Sequence, residues 1–152
     1  MHLIVAADHS GFHLKDPIIH ALRSWGHEVL DVGTFAPQPR VDFPDLAEKV
    51  CPPILSGEVD RGIMVCGSGI GACIAANKFA GIRAGVCHDI YSAHQSVEHD
   101  NANVLCLGAQ IVGEKLAYEL LRAFVDARFT EEEYFRQRDA KLAALERRLL
   151  ER

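Results

Sequence analysis

The densest chemical signal in the sequence is Cys66-Gly67-Ser68-Gly69-Ile70-Gly71, where a thiol leads into three glycines within five residues. Alternate glycines let a backbone turn sharply and aim several N–H groups at an anion where a helix begins. Such a loop favours an oxyanion or phosphate cradle over a plain strand-to-helix turn. Cys66 stands directly before it, where the helix dipole and free N–H groups favour a thiolate. The Ser68 hydroxyl, two residues on, can hydrogen-bond to the sulfur and help it shuttle a proton. Cys66 therefore reads as a proton-transferring base. The same string also loosely satisfies a dinucleotide fingerprint, Gly67-x-Gly69-x-x-Ala72, with Asp89 placed where a ribose-binding acid could stand. That fingerprint normally follows the first strand of a nucleotide-binding unit, and here it follows the third. This makes it the weaker reading.

Two further clusters could do chemistry. Asp8-His9-Ser10-Gly11 offers a carboxylate and an imidazole that can grip hydroxyls, a phosphate or a ring oxygen. Its bland alternative is a cap, by Asp8 or Ser10, on the first helix. His99-Asp100-Asn101 offers a general acid-base, or a cation at a helix C-terminus. His2, His13, His20, His27, His88 and His94 read as surface or structural. Cys51, Cys73, Cys87 and Cys106 read as small buried hydrophobes. The five cysteines form no C-x-x-C pair, so neither a structural zinc nor a disulfide framework is expected.

The elements that must hold these clusters follow from hydrophobic patterning. Strands are predicted at 3–7, 27–32, 61–66, 82–87 and 103–107, most of them continuous apolar runs of the kind buried on both faces. Helices are predicted at about 12–25, 43–56, 70–80, 89–99 and 112–127, with a soft boundary at Pro17. This alternation implies a five-stranded parallel sheet in a three-layer α/β/α sandwich, with the loops that follow the strands gathered on one edge. A last helix is expected over 130–152, started by Thr130 and the acids Glu131 to Glu133. Its stripe of Phe135, Leu142, Leu145 and Leu149 is expected to pack on a partner subunit, because both sheet faces already have helices.

The chain of 152 residues, 49% hydrophobic and 24% charged, fits one domain, 1–152. A net charge of -5 without a basic stripe argues against nucleic acid as a partner. No apolar stretch approaches the ~20 residues of a membrane helix, and no secretory pattern opens the chain, so the cytoplasm is the expected compartment.

The chain resembles the family of ribose-5-phosphate isomerase B and the galactose-6-phosphate and allose-6-phosphate isomerases. The likeness is carried by Ala7-Asp8-His9-Ser10-Gly11-Phe12-His13-Leu14-Lys15, by Val65 to Gly71, and by Ile74 to Ala84. Tyr91-Ser92-Ala93 and Asn103-Val104-Leu105 extend it. The resemblance implies a cofactor-free, metal-free aldose–ketose isomerase that works through a cis-enediolate. Cys66 would be the base, Ser68 (usually Thr) its assistant, and the amides of Gly67, Gly69, Ile70 and Gly71 the oxyanion donors. Some relatives carry the base on a Glu at the position of Ala72. His99 would open the furanose ring, with Asp8, His9, Asp100 and Arg138 binding substrate. The family works as a dimer or a dimer of dimers with shared active sites, so a sugar or sugar phosphate and a second copy are the expected partners.

Three positions depart from the family pattern. Asp100 stands for the usual Asn, Gln110 for an Arg, and Tyr134-Phe135 for an Arg-His pair. Gln110 and Tyr134 fall where phosphate is commonly bound, each replacing a charge-assisted donor by a neutral one. Arg40 and Arg136 could compensate. An unphosphorylated or differently sized aldose, and a non-catalytic nucleotide- or sugar-phosphate-binding module, remain the competing readings.

Overall fold

In the computed structural model, which describes residues 1–151, strands and helices alternate as the patterning requires. The order is β1 (His2–Ala7), α1 (Phe12–Ser24), β2 (Glu28–Asp31), α2 (Phe43–Leu55), β3 (Arg61–Cys66) and α3 (Ile70–Ala76). It continues with β4 (Ala84–Val86), α4 (Ile90–Glu98), β5 (Val104–Gly108), α5 (Glu114–Asp126) and α6 (Glu133–Leu150). All pairings are parallel, in the order β2-β1-β3-β5-β4. Side chains alternate between the faces, as period-two geometry demands. Leu3, Val5, Ile63 and Val65 pack with α1, α4 and α5, while Ile4, Ala6, Met64 and Cys66 pack with α2 and α3. None of the helices is long and apolar enough to cross a membrane among the described residues.

The strand order reverses between β1 and β3, the switch point where open α/β sheets leave a crevice. Here the loops after the two strands touch. The Asp8 amide donates to the Val65 carbonyl at 3.0 Å. A Cβ on Gly11 would fall 2.3 Å from that carbonyl oxygen, so only glycine lets the first loop approach the third strand. Gly69 has φ +80, a left-handed turn that carries the chain from β3 into α3.

Several predicted boundaries move. Pro17 lies inside α1, which continues past it. The third helix stops at Ala76 rather than near 80, because Asn77 turns its amide onto the backbone of Ala84 in two 2.9 Å bonds. Strand β4 is accordingly only three residues long. Thr130 does not cap α6. Its hydroxyl accepts from the Glu132 amide in a separate turn, and the helix begins at Glu133. Arg152, the end of the predicted helix, lies outside the described residues.

The expected stripe of α6 divides between two faces. Phe135, Asp139 and Glu146 turn onto their own chain, where Asp139 lies 3.5 Å from Arg83 and Glu146 accepts from the Gly81 amide. Leu142, Leu145 and Leu149 stay about half exposed. The helix is therefore tethered to its own domain by polar contacts, with a leucine row left outward.

Gly11→Ala should destabilise the protein by about 1–3 kcal/mol, the usual cost of overpacking. Urea unfolding reads this as a lower midpoint at unchanged slope, and an unchanged midpoint would refute the close approach.

Candidate active site

The end of β3 and the loop after β1 form one cluster. Cys66 is 5% exposed, and its Sγ accepts from the Gly69 amide at 3.0 Å. The Ile70 amide donates to the Ser68 hydroxyl at 3.3 Å, so this side chain is tied to the loop it belongs to. Gly71 lies under the Phe43 ring, which a Cβ there would strike at 2.7 Å. Gln110, just after β5, reaches over Gly67, whose absent Cβ would sit 3.3 Å from Gln110 Oε1. Asp8 is buried, and its Oδ1 accepts from the amides of Ser10 (2.8 Å) and Gly11 (2.9 Å). It thus shapes the turn that presents His9. The His9 ring bonds the Val41 carbonyl through Nδ1 at 3.3 Å, and its Nε2 accepts from Arg40 Nε at 3.2 Å. Arg40 therefore belongs to this cluster.

His99, Asp100, Tyr134, Arg136 and Arg138 do not join it within one chain. Helix α4 leaves the C-terminal edge of the sheet after β4 and returns to the other edge, where β5 begins. His99 is its C-cap. Contacts at this edge include the Thr130 amide on the Glu98 carbonyl (3.0 Å) and Arg83 Nε on the Asn101 carbonyl (2.8 Å). The strand between the two edges spans about 15 Å or more at ~3.3 Å per residue. The second cluster has its own order. Gln95 Nε2 sits 3.1 Å from His99 Nδ1, and the Phe135 ring stacks on the imidazole at 4.1 Å between centroids. Arg138 pairs with Asp100 at 3.6 Å and lies over Tyr134. Arg136 pairs with Glu131 and covers Phe129, so it is committed elsewhere.

The other weighed residues settle as follows. Asp89 caps α4, accepting from the Ser92 amide at 2.7 Å, which occupies the acid that the dinucleotide reading required. His88 Nε2 accepts from the Gly108 amide at 2.9 Å, a structural role. Among the described residues no group of three His, Cys, Asp or Glu is placed to hold a metal ion.

Burial raises the thiol of Cys51 to about 11 and also raises that of Cys87. Cys106 is raised well above its ordinary value, first by its hydrogen bond with Cys73 and then by burial. Cys73 departs from the buried-hydrophobe reading. It is half-buried, and donation from Cys106, with help from the Val86 backbone and Asn77, lowers it to about 7 against the opposing effect of burial. Its Sγ lies 3.2 Å from the Ala84 carbonyl, on the β4 side of α3. Sequence reading passed over Gln95, Phe43 and Phe135 as site residues. Only Gln95 had a local signal, its i,i+4 spacing to His99 on a helix.

Comparison with known proteins matches residues 3–142 to the family described as Ribose/Galactose Isomerase. Ribose-5-phosphate isomerase B of Escherichia coli K12 is 45% identical over 141 residues, 93% of each chain. D-erythrulose-4-phosphate isomerase of Pectobacterium atrosepticum is 40% identical over 84% of each chain. The solved structure of Clostridium thermocellum ribose-5-phosphate isomerase B superimposes with a TM-score of 0.94 at 41% identity, covering 98% of this chain and 99% of that one.

Ultraviolet thiolate absorbance, titrated on the folded protein, should show a step with midpoint about 7. The step should vanish in Cys73→Ser, and a step of full amplitude in that variant would contradict the assignment.

Proposed function

The chain belongs to the ribose/galactose isomerase family, and on that premise we propose that it interconverts ribose 5-phosphate and ribulose 5-phosphate. The observation that carries the reading is Cys66, at the end of β3 in the switch-point crevice, with the Gly69 amide on its sulfur at 3.0 Å. In this proposal the Cys66 thiolate removes the proton from C2 of the open-chain aldose. The enediolate oxygens are met by the amides of the 67–71 loop, preorganised donors where charge develops. Ser68 passes a proton between O1 and O2, and the Cys66 thiol returns its proton to C1. Hydrogen moves within the substrate, so the reaction needs no external electron acceptor.

The ring must open first, and that step belongs to His99 as a general acid-base. Because His99 and Cys66 sit at opposite edges of one sheet, a complete site needs the His99 edge of a second copy against the Cys66 edge of the first. A two-fold dimer supplies two such sites. The outward row of Leu142, Leu145 and Leu149 fits burial against that copy, since monomers rarely leave such a row open. His9 with Arg40 at one half, and Arg138 at the other, are the cationic groups left for the substrate phosphate. Arg138 is already paired with Asp100. Phosphate recognition is therefore expected to survive with a smaller margin than a full arginine grip would give.

A second reading keeps the reaction and shortens the sugar. It draws on the relative named for D-erythrulose 4-phosphate, which is 40% identical to this chain. Assays of wild type and Cys66→Ala on ribose 5-phosphate, erythrose 4-phosphate, ribose and allose separate these readings. The wild type should favour ribose 5-phosphate, and Cys66→Ala should lose about 10²–10⁴-fold in kcat, as removal of a general base does. Near-normal turnover by the mutant would refute the mechanism, and preference for a free sugar would refute the substrate.

A further inference from the structure

His99 stands one residue past the last turn of α4, at φ -103 and ψ -31, so the helix alone does not fix its ring. Two side chains do. The Phe135 ring lies flat against the imidazole, with centroids 4.1 Å apart and planes 13° from parallel. Gln95, one turn earlier on α4, brings its amide nitrogen to 3.1 Å from Nδ1. Donation from that amide leaves Nδ1 unprotonated and places the ring proton on Nε2. Phe135 is itself backed, by the Tyr134 ring edge-on at 5.2 Å and by Arg138 at 5.6 Å from its centroid. Among the described residues, this is the aromatic contact of α6 that reaches a residue assigned to the chemistry. Phe135 was expected in the outward stripe, and its inward turn has no counterpart in Leu142, Leu145 or Leu149.

We propose that Phe135 is a positioning residue for ring opening: its flat contact, together with Gln95 on Nδ1, holds His99 with Nε2 presented to the furanose of a substrate on the second copy's Cys66 loop. The inference rests on the acid-base role assigned to His99 above. In the step, Nε2–H gives its proton to the ring oxygen as the bond from C1 to that oxygen breaks. The proton of the C1 hydroxyl is taken up by the vacated nitrogen, directly or through one water. The aldehyde forms and the imidazole ends as it began, with no change in oxidation state. A ring already locked in this geometry pays no orientational cost when the substrate arrives.

Substrate chemistry allows the step to be isolated. Ribose 5-phosphate is a furanose in solution and must be opened. Ribulose 5-phosphate is open-chain, because the hydroxyl that would close its five-membered ring is esterified. Phe135→Leu keeps an apolar side chain but removes the flat face, and Phe135→Tyr keeps the face. The initial rate on ribose 5-phosphate is compared with the exchange of a C1 hydrogen of ribulose 5-phosphate for solvent deuterium, which passes through the enediolate without a ring step. The comparison is made once melting temperature and oligomeric state match those of the wild type. Phe135→Leu should lose at least about tenfold in kcat on ribose 5-phosphate, with KM and the solvent exchange at C1 of ribulose 5-phosphate changed less than about twofold, as for a misplaced but intact catalytic group. Phe135→Tyr should restore the forward rate. Equal losses in the forward rate and in the deuterium exchange, or full forward activity in Phe135→Leu, would overturn the proposal. Failure of the unmodified protein to convert either sugar would instead overturn the functional reading, and that is seen before any variant is compared.

Discussion

A parallel strand delivers its C-terminal end to one edge of the sheet, and the helix that follows carries the chain back to the other. Everything about the candidate site follows from that constraint. Cys66 ends β3, whereas His99 ends α4 and leads into β5, so the two face opposite edges of the sheet. No side-chain rearrangement can close a gap of about a strand's length. In the proposed reading each chain therefore carries two half-sites, one for proton abstraction and one for ring opening. Their union across two copies would join the two steps that the proposal assigns to separate edges.

The half-site around Cys66 depends on backbone proximity more than on side-chain packing. Gly11 lets the first loop touch the Val65 carbonyl, Gly69 turns the chain left-handed, and Gly71 leaves room for Phe43. Each glycine is needed for a different contact, and together they bring His9 and Cys66 to one crevice. Among the neighbouring thiols, a lowered pKa does not by itself place a sulfur in the crevice. Cys73 is lowered to about 7 by its hydrogen bonds, yet its sulfur faces the Ala84 carbonyl below the helix and not the crevice. Cys66 has the loop amide and the position.

Much of this was legible in the residues. Continuous apolar runs spaced by amphipathic segments dictated a parallel sheet, and the thiol before alternating glycines marked the edge that holds the candidate site. Strand and helix ends were less legible, because side chains set them through long-range contacts. Asn77 ends α3 by bonding to Ala84, and Thr130 spends its hydroxyl on a turn instead of a cap. The amphipathic pattern of α6 predicted one apolar stripe, but period alone cannot tell which members face home. Phe135 turned inward because His99 offered it a flat partner, a contact between residues 36 positions apart in the chain. The four-residue step from Gln95 to His99 was visible, yet without the ring's orientation it carried no meaning.

The claim on which the account turns is that Cys66 and His99 of one site come from different copies. Mixing tests it directly. Cys66→Ala and His99→Ala proteins, each inactive on ribose 5-phosphate, are combined, unfolded and refolded together. Random pairing makes half of the dimers mixed, and a mixed dimer holds one site with both native residues and one with neither. Recovery of about a quarter of wild-type activity is expected from this symmetry. If both residues served one site from the same chain, every site in the mixture would lack one of them, and activity would stay at the level of the separate mutants.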